Sequence, residues 1–157
     1  MTKATVYVET TVVSYLAASP SRDIVVAAHQ QLTRDWWNRR DRFELLISQA
    51  VLDEASRGDA DVAARRMALL AEIAVLTIGD DVIEFAAQLL RRRVVPAKAQ
   101  SDALHIAVAA VNHVAYLMTW NCAHIANAAV RGKIEGACRA AGLQAPIICT
   151  PEELGEA

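Results

Sequence analysis

The stretch from Ser101 to Asn121 constrains this chain more than any other. It reads Ser101-Asp102-Ala103-Leu104-His105-Ile106-Ala107-Val108-Ala109-Ala110, then Val114-Ala115-Tyr116-Leu117-Met118-Thr119-Trp120-Asn121. The first half predicts a helix that is apolar almost all the way round, so it must be buried on several sides. A tight turn at Asn112-His113 and a short buried strand ending in a polar residue follow. Into the first turn of that helix the chain puts Asp102, the only acidic residue between Glu84 and Glu135. A carboxylate there meets the positive end of the helix dipole and caps free N–H groups. Ser101 is equally able to cap, which leaves Asp102 without an obvious structural duty.

A helix buried on several sides needs a large body around it, and 157 residues supply one domain, residues 1–157, with a substantial core. The hydrophobic share is 54% but only 5% is aromatic, so Ala, Val, Leu and Ile must build that core. Such a composition suits buried parallel strands flanked by Ala-rich helices. Charges break the apolar runs well before the ~18 residues of a membrane span, and Glu9 interrupts the first of them, unlike a signal peptide. Three widely spaced cysteines (Cys122, Cys138, Cys149) argue for a reducing, cytoplasmic setting rather than a disulfide framework. A net charge of −2 is mild evidence against a nucleic-acid binder, although local patches can still meet phosphates. Candidates are Arg39-Arg40 with Arg42, Arg65-Arg66, and Arg91-Arg92-Arg93 with Lys98. The last reads either as a helix C-terminus complementing its dipole or as an RNA track.

In chain order, Ala4 to Val8 is a β-branched strand. It ends at Glu9-Thr10-Thr11, where a helix begins through Val12, Val13, Tyr15 and Leu16 and closes at Pro20. A longer helix follows with Val25, Ala28, Leu32 and Trp36 on one stripe. Trp36-Trp37 at its end cannot both face one way, so one belongs to the core and the other is open to a partner. Leu45-Leu46-Ile47 is a second strand, and Ser48 is positioned to N-cap the next helix. On that helix Glu54 shares the inward face of Ala50 and Val51, Asp53 pairs with Arg57 at the surface, and Gly58 is the stop. A helix from about Ala60 to Glu72 turns Val62, Leu69 and Ile73 to one side. Ala74 to Ile78 is a third strand, and the helix after Gly79-Asp80-Asp81 buries Val82, Phe85, Ala86, Leu89 and Leu90. Beyond Asn121 come an Ala-rich helical stretch up to Gly132, a helix from Lys133 to Ala141 closed by Gly142, and a last strand at Pro146 to Cys149. Thr150-Pro151-Glu152-Glu153 has the form of a capping box. The alternation predicts a three-layer α/β/α domain with a central, mostly parallel sheet of four to five strands.

Sites in such sheets form outside the carboxyl ends of the strands, near a switch in strand order. Glu9 ends strand one and Asn121 ends strand four. Glu54 lies in the second turn after strand two, and Asp102 opens the helix feeding strand four. Three carboxylates and an amide in one pocket repel one another unless a cation is present, and hard divalent ions, Mg²⁺ or Mn²⁺, suit oxygen ligands. His105, His113, Cys122 and His124 match no common zinc spacing, and His105 reads as a structural histidine within the buried helix. No Gly-rich phosphate loop is present.

Val8-Glu9-Thr10-Thr11-Val12-Val13-Ser14-Tyr15-Leu16, Ser48 to Gly58 with Glu54, Ser101-Asp102-Ala103-Leu104-His105-Ile106-Ala107 and Thr119-Trp120-Asn121 together resemble the PIN-domain family, most of all the VapC-type toxins of toxin–antitoxin pairs. The resemblance runs nearly to the C-terminus and implies a Mg²⁺-dependent endoribonuclease held inactive by a cognate antitoxin. It implies Glu9, Glu54 and Asp102 as metal ligands, Thr10 and Thr119 as hydroxyls lining the site, and Asn121 in a position where many members carry an acid. Asn121 would then orient water, and an ion would lower the pKa of the attacking water. It also implies a homodimer and an antitoxin contact on the apolar stripes between Val12 and Trp36, with Trp37.

Two residues depart from the family pattern. Glu9 stands where aspartate is commoner, and Asn121 brings no charge, so metal binding should be weaker. The alternative is a PIN-like binding module that has lost catalysis and holds a protein or RNA partner.

Overall fold

The strand that begins the chain becomes the middle of the sheet. In the computed structural model, which describes residues 2–155, β1 (Thr5–Val8) pairs with β2 (Glu44–Ser48) on one side and β4 (Tyr116–Met118) on the other. The outer strands are β3 (Ala74–Leu76) and β5 (Ile147–Cys149), giving the order β3-β2-β1-β4-β5 with every pairing parallel. Val6, Tyr7 and Val8 are all fully buried. Neighbouring side chains on a strand point to opposite faces, so β1 is covered above and below, which is why it reads as an unbroken apolar run.

Among the described residues the helices are α1 (Thr10–Ala17), α2 (Ile24–Trp37), α3 (Gln49–Ala55), α4 (Ala60–Leu70), α5 (Asp80–Arg91), α6 (Gln100–Val111) and α7 (Ala128–Ala140). The first four pack among one another, while α5 packs on α6 and α7. The result is a three-layer α/β/α architecture around one continuous core. As its composition demands, α6 is buried from Ala103 to Ala110 apart from Leu104, which is half-buried. None of the described helices is long and apolar enough to cross a membrane.

Several local expectations fail for identifiable reasons. Strand three stops at Leu76 because Leu76 already pairs with Ser48, the last residue of β2, so Thr77 and Ile78 have no ladder to join. Ser48 caps nothing: its hydroxyl is turned to the Tyr7 phenol. The first turn of α6 is capped by neither Ser101 nor any other side chain, its N-cap position being Ala99. Asp53 accepts from Gln49 Nε2 at 2.8 Å instead of pairing with Arg57. Gly58 does lie beyond α3 with φ +86°, and Arg66 braces that end through the Ala55 and Arg57 carbonyls. Gly132 does not break the last helix; α7 starts earlier, where the Asn127 side chain accepts from Ala129 N–H, and runs through it. Thr150 and Glu153 form the expected reciprocal box, but on a turn rather than a helix.

The stripe on α2 is rotated from its expected position. Val25 is 63% exposed and Ile24 85%, whereas Gln30 and Thr33 are buried. The polar pair is inside because each has partners there. Gln30 accepts from Ser21 N–H and donates to the Ser19 carbonyl, tying down the loop before α2. Thr33 donates to the His29 carbonyl and accepts from Trp120 Nε1 at 2.8 Å. Val12, Val13 and both adjacent tryptophans are core, with Trp37 at its rim under the Arg40 guanidinium.

The two buried indoles differ in one respect that can be measured. Trp120 Nε1 has Thr33 as acceptor, but Trp36 Nε1 is buried with no hydrogen-bond partner among the described residues. An unsatisfied buried donor costs about 1–3 kcal/mol, which offsets much of the packing a phenyl ring would lose. Trp36→Phe is therefore expected to change unfolding free energy by less than ~1 kcal/mol in a urea titration. Trp120→Phe removes the Trp120–Thr33 hydrogen bond, leaving Thr33 only its bond to the His29 carbonyl, and should cost at least ~1 kcal/mol more. Equal losses from both would contradict this.

Candidate metal centre

Strand order reverses at β1 and β4, and the carboxyl ends of these two strands open the crevice where a site is expected. Glu9 is the first residue beyond β1 and serves as the N-cap of α1. It is only 3% exposed. Its Oε2 accepts from Thr11 N–H at 3.1 Å, and its Oε1 accepts from the hydroxyls of Thr11 and Thr119, each at 2.5 Å. Those hydroxyls in turn accept from Trp120 and Asn121 N–H, both at 2.9 Å. A single carboxylate thus ties the end of β1 to the segment leaving β4.

Glu54 reaches the same place from α3. Its Oε1 accepts from Thr10 Oγ1 at 2.8 Å and from His105 Nε2 at 2.5 Å. His105 is completely buried on α6, and its Nδ1 lies 2.7 Å from the Tyr7 phenol, itself 2.7 Å from Ser48 Oγ. Ligand atoms of Glu9, Glu54 and His105 all lie within 4.8 Å of one another. Among the described residues no lysine or arginine pairs with either carboxylate.

The other expected members lie beside this group rather than in it. Asp102 Oδ1 accepts from Asn121 Nδ2 at 3.0 Å, and Oδ2 is 2.8 Å from His124 Nδ1. Asn121 Oδ1 accepts from His124 N–H, so both ends of the amide are engaged. The structure brings Glu9, Glu54, Thr10 and Thr119 together and sets Asp102 with Asn121 and His124 alongside. Asp102 still acts on the centre through space, because its charge helps stabilise protonated His105.

Thr11, His105 and Tyr7 escaped the sequence reading as site residues. His105 sits one turn after Asp102 on α6, and that spacing was the available signal. Tyr7 looked like core because it is core; only its hydroxyl is polar. Cys122 is exposed and unpaired, and burial pushes the thiols of Cys138 and Cys149 up to about 11 and about 12. The Arg91-Arg92-Arg93 run is exposed at the end of α5, with Arg91 3.4 Å from Glu84.

Burial by itself would lower the His105 pKa, but the Glu54 hydrogen bond and the charges of Glu9, Glu54 and Asp102 prevail and raise it. Burial would likewise raise Glu54, yet His105, Thr10 and Ser101 hold it below its ordinary value of 4.5. For a raised histidine, the stabilisation is complete below its ordinary value of 6.5 and is lost as pH climbs through the folded value. For a lowered carboxyl it is complete above 4.5 and lost as pH falls through the folded value. In chelator the pair should therefore stabilise the fold most between pH 4.5 and 6.5. Melting temperatures of wild type and His105→Gln measured across pH should diverge most in that window. A constant difference from pH 4 to pH 9 would contradict this pairing.

The donor set fits a hard divalent ion. Two carboxylates face one another with only the His105 imidazolium, among the described residues, to offset them, and oxygen ligands suit Mg²⁺ or Mn²⁺. The imidazole is the poorer ligand, since both ring nitrogens are already hydrogen-bonded. No protein-family model matches this chain, and no curated protein matches it.

Proposed function

We propose that this protein is a divalent-metal-dependent hydrolase of RNA phosphodiester bonds. The observation that carries the proposal is the convergence of buried Glu9 and half-buried Glu54 at the strand-order switch, where no lysine or arginine among the described residues pairs with either and only His105 offsets their charge. The likeness of the Val8–Leu16 and Ser101–Ala107 segments to PIN domains supports RNA as the substrate. It also supports a toxin's role for the chain, with a cognate antitoxin protein as inhibitor and a second copy as dimer partner. Glu9 and Glu54 would hold Mg²⁺ or Mn²⁺, which when bound supplies a Lewis acid and a water of lowered pKa. Thr11 and Thr119 fix the direction of Glu9, while Thr10 and His105 fix Glu54. Water is the nucleophile, the phosphorus–oxygen ester bond breaks, and one new end carries phosphate while the other carries hydroxyl. No side chain is consumed as a nucleophile.

A binding module is the second reading, favoured by one observation. Asp102, the third acid, spends its oxygens on Asn121 and His124, so fewer charges face the centre than in a full acidic cluster. The two readings separate on a pool of structured RNAs incubated with purified protein in Mg²⁺, Mn²⁺ or EDTA, beside Glu54→Gln and Asp102→Ala. Metal-dependent cuts lost in Glu54→Gln are the expected result. Thermal unfolding on the same samples should show stabilisation of about 2.7 kcal/mol when the ion stands at 100 times its Kd. Neither cuts nor stabilisation would favour the binding module.

A further inference from the structure

We infer that His105, backed by Tyr7 and Ser48, is a positioning residue that holds the Glu54 carboxylate in place for a divalent ion. The inference rests on the metal reading above and extends it to three residues that touch neither ion nor substrate. Ser48 ends β2, Tyr7 lies within β1 and His105 is on α6, so the line crosses three elements. All three side chains are fully buried. Successive contacts of 2.7, 2.7 and 2.5 Å run from Ser48 Oγ through the Tyr7 phenol and both nitrogens of His105 to Glu54 Oε1.

Each link has a chemical reason. An ionised carboxylate only accepts, so the proton on the near side belongs to His105 Nε2. Nδ1 then meets a phenol that can donate or accept, and behind it a serine hydroxyl with the same freedom. The imidazole therefore keeps both hydrogen bonds without moving a heavy atom. Its ring plane is set by partners at opposite ends, and that plane sets where Glu54 Oε1 lies. Thr10 binds the same oxygen. Glu54 sits on a seven-residue helix and is partly exposed to solvent, so its own helix does little to fix it. The orientation comes from α6 and β1 instead. Outer partners of metal ligands typically contribute 10- to 100-fold in metal affinity, roughly the effect to be expected here.

The test is Mn²⁺ affinity, followed by the loss of the free-ion resonance on titration, in wild type, Tyr7→Phe, His105→Gln, His105→Leu and Val82→Ala. Tyr7→Phe keeps the ring in the core and removes the phenol's links to His105 Nδ1 and Ser48 Oγ. His105→Gln offers an amide donor near the place of Nε2, and His105→Leu offers none. Val82→Ala truncates the core on α5, which contributes nothing to the centre, and reports what mere destabilisation does. Wild type and Val82→Ala should bind Mn²⁺ alike, His105→Leu and Tyr7→Phe about tenfold or more weaker, and His105→Gln between them. Should His105→Leu fail to fold, Tyr7→Phe and His105→Gln suffice. Wild-type binding with affinities in both variants within twofold of it would overturn the positioning role alone. No Mn²⁺ binding by wild type would overturn the metal reading and this inference with it.

Discussion

Glu9→Gln is expected to lower RNA cleavage by about 10²–10³-fold, a loss comparable to removing one preorganised electrostatic partner from an active site. Glutamine keeps the length of glutamate, so the effect isolates charge and hydrogen-bond polarity. Three groups point hydrogens at the Glu9 carboxylate: the Thr11 amide and the hydroxyls of Thr11 and Thr119. An amide NH₂ in place of Oε2 faces the Thr11 N–H, donor against donor. In place of Oε1 it faces two hydroxyls whose oxygens are already taken by Trp120 and Asn121 N–H. Charge-assisted bonds of this kind contribute about 1.5–3 kcal/mol each, so the metal-free variant should also unfold at lower urea. Cleavage rates in Mn²⁺ and urea midpoints in EDTA read the two effects separately. A variant that cleaves within tenfold of wild type would remove Glu9 from the proposed ligands.

Ile106→Ala should damage the fold while leaving the site largely intact. Ile106 is fully buried on α6, and truncating such a side chain costs about 2–5 kcal/mol, through lost burial and the cavity left behind. For a domain of this size each kcal/mol lowers the melting temperature by about 2–4 °C. Calorimetry should find the transition well below that of wild type. The neighbours of Ile106 in sequence, His105 and Ala107, remain in place on a helix fixed by the rest of its buried surface. Mn²⁺ affinity measured far below the transition should therefore stay within about twofold of wild type. A large loss of affinity there would show that α6 shifts as a body when its core contacts are thinned.

What the chain reveals without coordinates depends on which force fixes each element. The strands were legible because β-branched and apolar runs have few other ways to be buried, and α6 was legible for the same reason. Strand-end position and helix face pointed Glu9 and Glu54 to one pocket, but pointed Asp102 and Asn121 there equally, and only the first two share it. The rotation of α2 was not legible. Gln30 and Thr33 face inward because Ser19, Ser21, His29 and Trp120 hold partners for them, and those partners are distant in sequence or hidden in backbone atoms. His105 was half legible: its burial followed from the pattern of α6, but its bond to Glu54 spans 51 positions in the chain. Asp102 has no capping duty, and its partners Asn121 and His124 lie on a loop whose shape no periodicity describes.

The central place of β1 has a consequence for how the molecule is made. During synthesis β1 can pair with β2 as soon as Ser48 has followed it, but its other edge waits for β4, whose partner residues are 110 positions away in register. Pairings so distant close large loops and form late. Thr119, one of the two hydroxyls that set the direction of Glu9, arrives only with that last closure. A nascent chain therefore carries Glu9 and Glu54 long before it has the enclosure that would give their charges a use, and the centre is completed only once Thr119 has joined it.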